Sequence, residues 1–375
     1  LDPQTKTYVS ISTEQNYERL GKIQGKQYHS ILTEKLPAAL DAIRVTASKT
    51  TTETECIDTV VSGLIEKIHY LGNWNSAEGN LIPRTLHQIV TTGYGDCKEY
   101  SACLAAILNA LGYHAKIALV QRGEVYLEED KLPGIHPFNH AIVQAVGPSG
   151  KTYWIDPTNI TTMADGIYAD IANRPALVLD PTKPEYVHIP SIDYRHACFN
   201  VEETITIKDD GYVVTQGAFC LQGEKAQGFT QDLLMNQPSV LKEHVIKTLC
   251  RSADPINPTL TLPEATSRKV QTLNANYGYE EKNTLLHTNQ GCAFPLESTW
   301  YQPYISTSQK HEGTIFVGHP ETRIKKTIFK RAEADNLENL TFSIQSPWLN
   351  AKREVFVSEE GITVVETVER LQLSL

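Results

Sequence analysis

The segment Gly93-Tyr-Gly-Asp-Cys-Lys-Glu-Tyr100 decides how the rest of the chain is interpreted. Asp96 has the chemistry of a helix N-cap, and Glu99, three residues later, completes an Asp-x-x-Glu capping box. Cys97 is then the first residue of a helix that we expect to extend to about Ala110. A thiol at this position lies at the positive end of the helix dipole, where a thiolate is stabilised.

A cysteine at a helix start is, by position alone, more often a small buried residue than a nucleophile. Two later segments change that balance. Phe138-Asn-His-Ala-Ile-Val143 places His140 at the start of an apolar strand, and Tyr153-Trp-Ile-Asp-Pro157 places Asp156 at the end of the next strand. A nucleophilic thiol needs a base, and the base needs an orienting partner. We therefore expect Cys97, His140 and Asp156 to converge.

The turn between the His and Asp strands sets a geometric condition on this expectation. If Val146 faced Lys151 across an even turn, His140 and Asp156 would lie on opposite faces of the sheet. A turn of odd length or a bulge places both side chains on the same face. The sequence therefore predicts an odd turn or a bulge between these two strands.

Apolar periodicity predicts helices first and an antiparallel meander second, which is an α+β arrangement. Four prolines between 174 and 190 indicate a linker, and the alternating runs that follow indicate strands interrupted by one helix near 238–250. We expect four parts: a helical lead-in at 1–50, a catalytic core at 51–173, a Pro-rich linker at 174–195, and a β-rich domain, which we expect to be a sandwich, at 196–375. The lead-in would be the tail of an N-terminal domain that we expect this chain to lack, or a linker.

Composition excludes several functional classes. The chain has 375 residues, a net charge of −10 and a pI near 5.7, and it lacks the basic face that a nucleic-acid partner would require. No run of about 18 apolar residues predicts a membrane span. The seven cysteines include no CxxC pair, and no histidine lies in an HExxH pattern. We therefore expect no metal, no other cofactor and no disulfide scaffold.

Taken together, three segments resemble the transglutaminase-like superfamily. The stretch from Gly93 to Ala115 looks like its nucleophile helix, and Phe138–Val143 and Tyr153–Thr158 look like its His and Asp segments. The likeness is closest to bacterial multidomain proteins in which this core lies between β-rich domains. It covers residues 50–160 well, and it is weaker on either side. The resemblance implies a papain-like core, with a nucleophile helix packed on an antiparallel sheet.

In that core the resemblance makes Cys97 the nucleophile, His140 the base and Asp156 its orienting carboxylate. It implies acyl transfer from a protein or peptide through a Cys97 thioester, by a cysteine peptidase, an amide or isopeptide hydrolase, or a transglutaminase. A second oxyanion donor is expected ahead of the nucleophile, with Trp74 as first choice and Asn73, Asn75 and Gln88 as alternatives. An exported or periplasmic bacterial protein is favoured, and a cytoplasmic one stays open.

Two other functions remain open at this stage. Some members of the superfamily have lost catalysis, so the same scaffold could be a non-catalytic module for protein binding or assembly. A small-molecule acyltransferase is a third alternative, although no coenzyme A site is recognisable. The substrate, the acyl acceptor, the oligomeric state and the role of 196–375 are not encoded in any motif that we recognise.

Overall fold

A computed structural model describes residues 9, 11–72, 82–123, 132–135, 137–250, 255–263, 267–282, 285–289, 291–294, 318–330 and 338–371. Across these ranges the chain is mixed α and β, with seven α-helices and several sheets. It divides into two compact units, one ending at Ile192 and the other beginning at Asp193. We call them the N-terminal and C-terminal units.

The N-terminal unit combines five helices with a five-stranded antiparallel sheet of order β5-β4-β3-β6-β7. The helices are α1 (Tyr17–Leu32), α2 (Ala38–Ala47), α3 (Glu53–Lys67), α4 (Leu86–Thr92) and α5 (Cys97–Ala110). The strands are β1 (His69–Tyr70), β2 (Tyr94–Gly95), β3 (His114–Val120), β4 (His140–Val146), β5 (Thr152–Ile155), β6 (Pro175–Val178) and β7 (Glu185–His188). β1 and β2 form a separate parallel pair.

Helix α5 is the centre of this unit. Every residue from Glu99 to Leu108 is buried, which explains a sequence rich in alanine and nearly free of charge. One side of α5 packs on β3 and β4, while α1, α2 and α3 contact it elsewhere. Since α1 and α2 place Tyr28 and Leu40 in the same apolar core, the segment predicted as a lead-in is an integral part of this unit.

The segment predicted as a Pro-rich linker, 174–195, instead contains β6 and β7. These strands extend the sheet beyond β3, with Leu119 of β3 opposite Leu177 of β6. Pro175 is compatible with a strand because it is the first residue of β6, where the missing N–H interrupts no ladder. Proline density was therefore a poor guide here, because the prolines lie at the ends of strands and in the turns between them.

The C-terminal unit is built on an eight-stranded sheet of order β10-β11-β9-β8-β14-β17-β16-β15. Its strands are β8 (Cys198–Ile207), β9 (Tyr212–Gln222), β10 (Ile256–Thr261), β11 (Thr272–Lys282), β12 (Leu286–Thr288), β13 (Gly291–Ala293), β14 (Glu321–Lys330), β15 (Leu340–Gln345), β16 (Leu349–Ser358) and β17 (Gly361–Arg370). Its helices are α6 (Glu224–Met235) and α7 (Pro238–Leu249), and β12 and β13 form a small separate hairpin.

This architecture corrects the expected sandwich. Over the described ranges of the C-terminal unit, one large sheet carries α6 and α7 on its apolar face, rather than packing against a second large sheet. The alternating runs correctly indicated strands, but alternation does not say which strands pair. The central pairing, between β8 and β14, is parallel and joins segments more than 100 residues apart.

A buried polar contact crosses the middle of that sheet. Glu203, Gly217 and Tyr277 lie directly opposite one another on β8, β9 and β11. A Cβ at Gly217 would lie 2.5 Å from the Tyr277 ring, so only glycine lets that ring pass over the strand. The phenol thereby donates to the Glu203 carboxylate at 3.0 Å. This contact holds three strands in one register.

In the N-terminal unit, the turn between β4 and β5 is fixed by a carboxylate from α3. Glu53 accepts the backbone N–H of Ser149 at 2.6 Å, the Ser149 hydroxyl at 2.8 Å and the Tyr153 hydroxyl at 2.9 Å. The pKa of Glu53 is lowered, first by the Ser149 backbone hydrogen bond. A Cβ at Gly147 would lie 2.4 Å from this carboxylate, so a larger residue there would displace Glu53 from the turn.

We expect Glu53→Ala to lower the free energy of unfolding by about 1 kcal/mol, the scale of a partly exposed charged hydrogen bond. The destabilisation should be largest in β4 and β5, where amide hydrogens should exchange faster than in the unaltered protein. Because the folded-state pKa of Glu53 is lowered, its contribution is present above the unfolded-state value and disappears as the pH falls through the folded-state value. Glu55→Ala is the matched control, since Glu55 contacts only Thr51 and Thr52. Equal exchange rates in the two variants would contradict this role.

Candidate functional site

The start of α5 is held by the expected capping box. Asp96 accepts the N–H of Glu99, and Glu99 accepts the N–H of Asp96 at 3.1 Å. Glu99 is also buried against Arg84, whose Nε and Nη2 donate to it at 2.5 and 3.0 Å. Burial raises the pKa of Glu99, but the hydrogen bond and charge of Arg84, the Asp96 backbone hydrogen bond and the charge of Lys98 together outweigh it, and the net shift is downward. Cys97, the first residue of the helix, is a partly exposed free thiol.

The turn into this helix depends on two glycines. Gly93 ends α4 with φ +70°, the left-handed region that favours glycine. At Gly95 a Cβ would lie 3.0 Å from the Cβ of Glu99. Gly95 lies two residues before Cys97 and belongs to β2, which pairs with β1. This pairing places Tyr70 opposite Gly95.

The hairpin of β4 and β5 has the predicted odd turn. Val146 pairs with Thr152, so Gly147 to Lys151 form a turn of odd length. Continuing this register beyond Val143 opposite Ile155 puts Asp156 diagonal to His140 on the same face. The prediction of an odd turn is therefore confirmed.

The two side chains meet in a buried hydrogen bond. His140 Nε2 lies 2.9 Å from Asp156 Oδ2, and the side chains are 5% and 0% exposed. Asp156 has further donors: the N–H and hydroxyl of Thr158 reach Oδ1 at 3.1 and 2.7 Å, and the Asn159 amide reaches Oδ2 at 3.2 Å. A buried carboxylate with this many donors is held in one orientation.

Electrostatics keep this pair charged. Burial opposes the imidazolium, but attraction to Asp156 and hydrogen bonds to Asp156 and Cys97 outweigh it and raise the pKa of His140 to about 10. Burial also raises the pKa of Asp156, yet attraction to and hydrogen bonding with His140, with help from Arg122 and Thr158, lower it to about 2. The imidazole is thus hydrogen-bonded to a carboxylate, and the Cys97 thiol is near enough to help raise its pKa.

A separate hydrogen bond fixes the distance between α5 and β4. The buried Ser101 hydroxyl donates to the carbonyl of Ala141 at 2.9 Å. Ser101 lies one helical turn after Cys97, and Ala141 follows His140 directly. The helix that carries the thiol is therefore anchored to the strand that carries the imidazole, next to both residues.

Sequence reasoning missed other residues around the site. Arg122 Nη1 lies 3.6 Å from Asp156 Oδ2. Asn159 donates to the same carboxylate. The pKa of Tyr70 is raised to about 12, first by burial and then by the charges of Cys97, Asp96 and Asp156. For Asn159 the available signal was its position three residues after Asp156.

The candidates for the second oxyanion donor have different outcomes. Trp74, Asn73 and Asn75 lie outside the described residues, so Trp74 stays a prediction. Gln88 is exposed, and its side-chain oxygen accepts the N–H of Thr85 in the capping box of α4.

The described residues include no group of three or more His, Cys, Asp and Glu side chains placed to hold a metal ion. No helix among them is both long and apolar enough to cross a bilayer. Among the side chains that the structure describes, six cysteines are free thiols, namely Cys56, Cys97, Cys103, Cys198, Cys220 and Cys250.

Comparison with solved structures gives a likeness of fold. No protein-family model matches the chain, and no curated protein is significantly similar. A solved structure from Parabacteroides distasonis, described as "a putative protease", superposes with a TM-score of 0.54 at 11% identity. The match covers 95% of this chain and 53% of that one, so this chain spans about half of that structure's length. At this identity the likeness shows a shared fold.

We expect His140 to titrate near pH 10 in an NMR measurement of its imidazole nitrogens, and Asp156→Asn to lower that pKa by more than about 1 unit. Because the folded-state pKa is raised, the imidazolium stabilises the protein fully below the unfolded value near 6.5 and ceases to do so as pH rises through about 10. Asp165→Asn removes an exposed carboxylate paired with Lys151 and serves as control. Titration of His140 near 6.5 in the unaltered protein would exclude this charge arrangement.

Proposed function

We propose that this chain is a thiol-dependent acyl-transfer enzyme that acts on a peptide or isopeptide bond. Cys97 is the nucleophile, His140 the general base and acid, and Asp156 the residue that orients the imidazole. The observation that carries the proposal is the buried hydrogen bond of His140 with Asp156, in a site where the Cys97 thiol is near enough to help raise the pKa of His140. Cys97 is the first residue of α5, and the Ser101 hydrogen bond anchors that helix to the strand of His140.

The hydrogen bonds define which ring nitrogen does the chemistry. Asp156 is ionised and can only accept, so His140 Nε2 carries a proton and donates it. Nδ1 is then the nitrogen that remains to take the thiol proton, which leaves a thiolate and an imidazolium. The low pKa of Asp156 keeps the carboxylate charged, so it orients and stabilises the imidazolium without taking its proton.

In the acylation step, the Cys97 sulfur attacks the substrate carbonyl carbon and the carbonyl oxygen becomes an oxyanion. The α5 capping box uses the N–H groups of Asp96 and Glu99 and not that of Cys97, which can therefore donate to the oxyanion. When the tetrahedral intermediate collapses, the C–N bond breaks and His140 Nδ1–H gives its proton to the leaving amine. The product is a Cys97 thioester and a neutral imidazole.

In the second step, His140 takes a proton from the acyl acceptor, which attacks the thioester carbon and releases the thiolate. Water as acceptor gives hydrolysis, and a primary amine gives cross-linking. We assign hydrolysis first, because the solved structure of similar fold carries the description of a protease. The transglutaminase-like resemblance of the three segments supports the thioester route for either acceptor.

We expect iodoacetamide at pH 6 to alkylate Cys97 before the other six cysteines, as mapped by peptide mass spectrometry. His140→Ala should slow this alkylation by about 100-fold, because the imidazolium that stabilises the thiolate at this pH is lost. Asp156→Asn should slow it less, since the imidazole remains but loses its orienting partner. The matched control is Cys103, which is buried in the same helix and has a raised pKa, so its labelling should stay negligible throughout.

Hydrolysis and cross-linking are separated by one assay on the same protein. Fluorescently labelled casein is incubated with the chain, with and without a labelled primary amine. Peptide release that Cys97→Ala abolishes supports hydrolysis, and amine incorporation into casein supports transfer. If Cys97 shows no preferential alkylation and neither reaction depends on it, the enzyme proposal fails and a non-catalytic binding module is the better account.

A further inference from the structure

Arg122 joins the His segment to the Asp segment. It follows β3, and its backbone N–H donates to the Asn139 side chain at 2.7 Å, while the Asn139 amide donates back to its carbonyl at 2.9 Å. Asn139 directly precedes His140, and its own N–H donates to the carbonyl of Val120 at 3.2 Å. These bonds hold Arg122 beside the start of β4, although it lies outside the strand.

The guanidinium of Arg122 contacts three residues of the segment that follows β5. Nη1 lies 3.6 Å from Asp156 Oδ2, Nη2 donates to Asn159 Oδ1 at 3.2 Å, and Nε donates to Asp170. Asn159 in turn donates to Asp156 at 3.2 Å. The Arg122 cation therefore lies directly beside the Asp156 carboxylate, which is hydrogen-bonded to His140.

We propose that Arg122 is a positioning residue that sets the pH range in which Cys97 and His140 exist as a thiolate–imidazolium pair, and that Asp170 limits its effect. This inference rests on the proposed function, because it concerns the reactive form of that same pair. Arg122 acts through Asp156 and contacts neither the thiol nor the substrate in the role proposed.

The charges that face Asp156 come from several elements. Two of these groups are cationic, namely His140 on β4 and Arg122 after β3. The others are neutral or anionic, namely Cys97 on α5, Tyr70 on β1 and Asp170. Burial lowers the pKa of Arg122, but Asp170 and Asp156 outweigh this effect and the net shift is upward, so it stays charged at all relevant pH values. Removing the Arg122 cation raises the pKa of the titratable groups near it, whereas removing the Asp170 carboxylate lowers their pKa.

The test is the pH dependence of Cys97 alkylation by iodoacetamide between pH 4 and 10, in the full chain. We expect Arg122→Gln to move the midpoint upward by about 0.5 to 1 pH unit. We expect Asp170→Asn to move it downward by a smaller amount. Each variant keeps a polar side chain that can still hydrogen-bond, so charge is the main difference from the parent residue.

Two controls separate charge from structure. Arg122→Lys keeps the cation and should keep the midpoint, while losing part of the maximal rate because the planar guanidinium fork is gone. Arg44→Gln on α2 changes the net charge by the same amount at an exposed pair with Asp41 and should leave the profile unchanged. A merely structural role would move the midpoints of Arg122→Gln and Asp170→Asn in the same direction or not at all.

The outcomes are distinguishable from failure of the proposed function. If Cys97 of the unaltered chain is alkylated selectively and His140→Ala slows it, but the Arg122→Gln midpoint does not rise, this inference is overturned and the proposed function stands. If Arg122→Gln does not fold, judged by circular dichroism, Asp170→Asn decides: a downward shift supports the inference, and an unchanged or upward midpoint overturns it. If the unaltered chain shows no selective alkylation, the proposed function fails first.

Discussion

A fully buried carboxylate is the group on which the site depends. Burying an ionised aspartate without partners costs several kcal/mol, so Asp156 is compatible with the fold only because its neighbours compensate the charge. Thr158 and Asn159 supply local donors, and His140 and Arg122 supply positive charge. This compensation has a chemical consequence, because a carboxylate held in this way stabilises a cationic imidazole beside a thiol.

The fold converts that local constraint into a geometry. The turn of odd length that is hydrogen-bonded to Glu53 puts the His140 and Asp156 side chains on one face of the β4–β5 hairpin. The Ser101 hydroxyl anchors α5 to the same hairpin, so the helix that begins with Cys97 is tied to the strand that begins with His140. Cys97 and His140 both lie at the first residue of a regular element, where the backbone position is well defined.

The sequence predicted the placement of Cys97, His140 and Asp156 in the fold better than the architecture around them. A capping box, a His at a strand start and an Asp before proline are local patterns, and each predicts the placement of its own residue. The odd turn also followed from the sequence, because alternation in two strands joined by a short turn allows few registers. Arg122 could not be found this way, since its partners Asn139 and Asp170 are distant in sequence and its role appears only after β3 and β4 have paired.

The same limit explains the errors in the architecture. Alternation of apolar and polar residues shows which face of a strand is buried but not which strand lies beside it. A single sheet in which β8 pairs with β14 therefore could not be distinguished from a sandwich. Proline at the first residue of β6 imitated a linker because proline marks strand ends as well as unstructured chain. Buried α5, by contrast, was recognisable, because an Ala- and Leu-rich helix with a capped start has few alternatives.

The most direct test of the central claim is whether an acyl group forms a thioester on Cys97 and then leaves it. The chain is mixed with p-nitrophenyl acetate, and intact mass is followed over time with peptide mapping of the adduct. The account predicts one transient acetyl group on Cys97 in the unaltered chain, much slower formation and decay in His140→Ala, and none at this position in Cys97→Ala. An acetyl group distributed over several cysteines, or one that forms on Cys97 equally fast without His140, would contradict it.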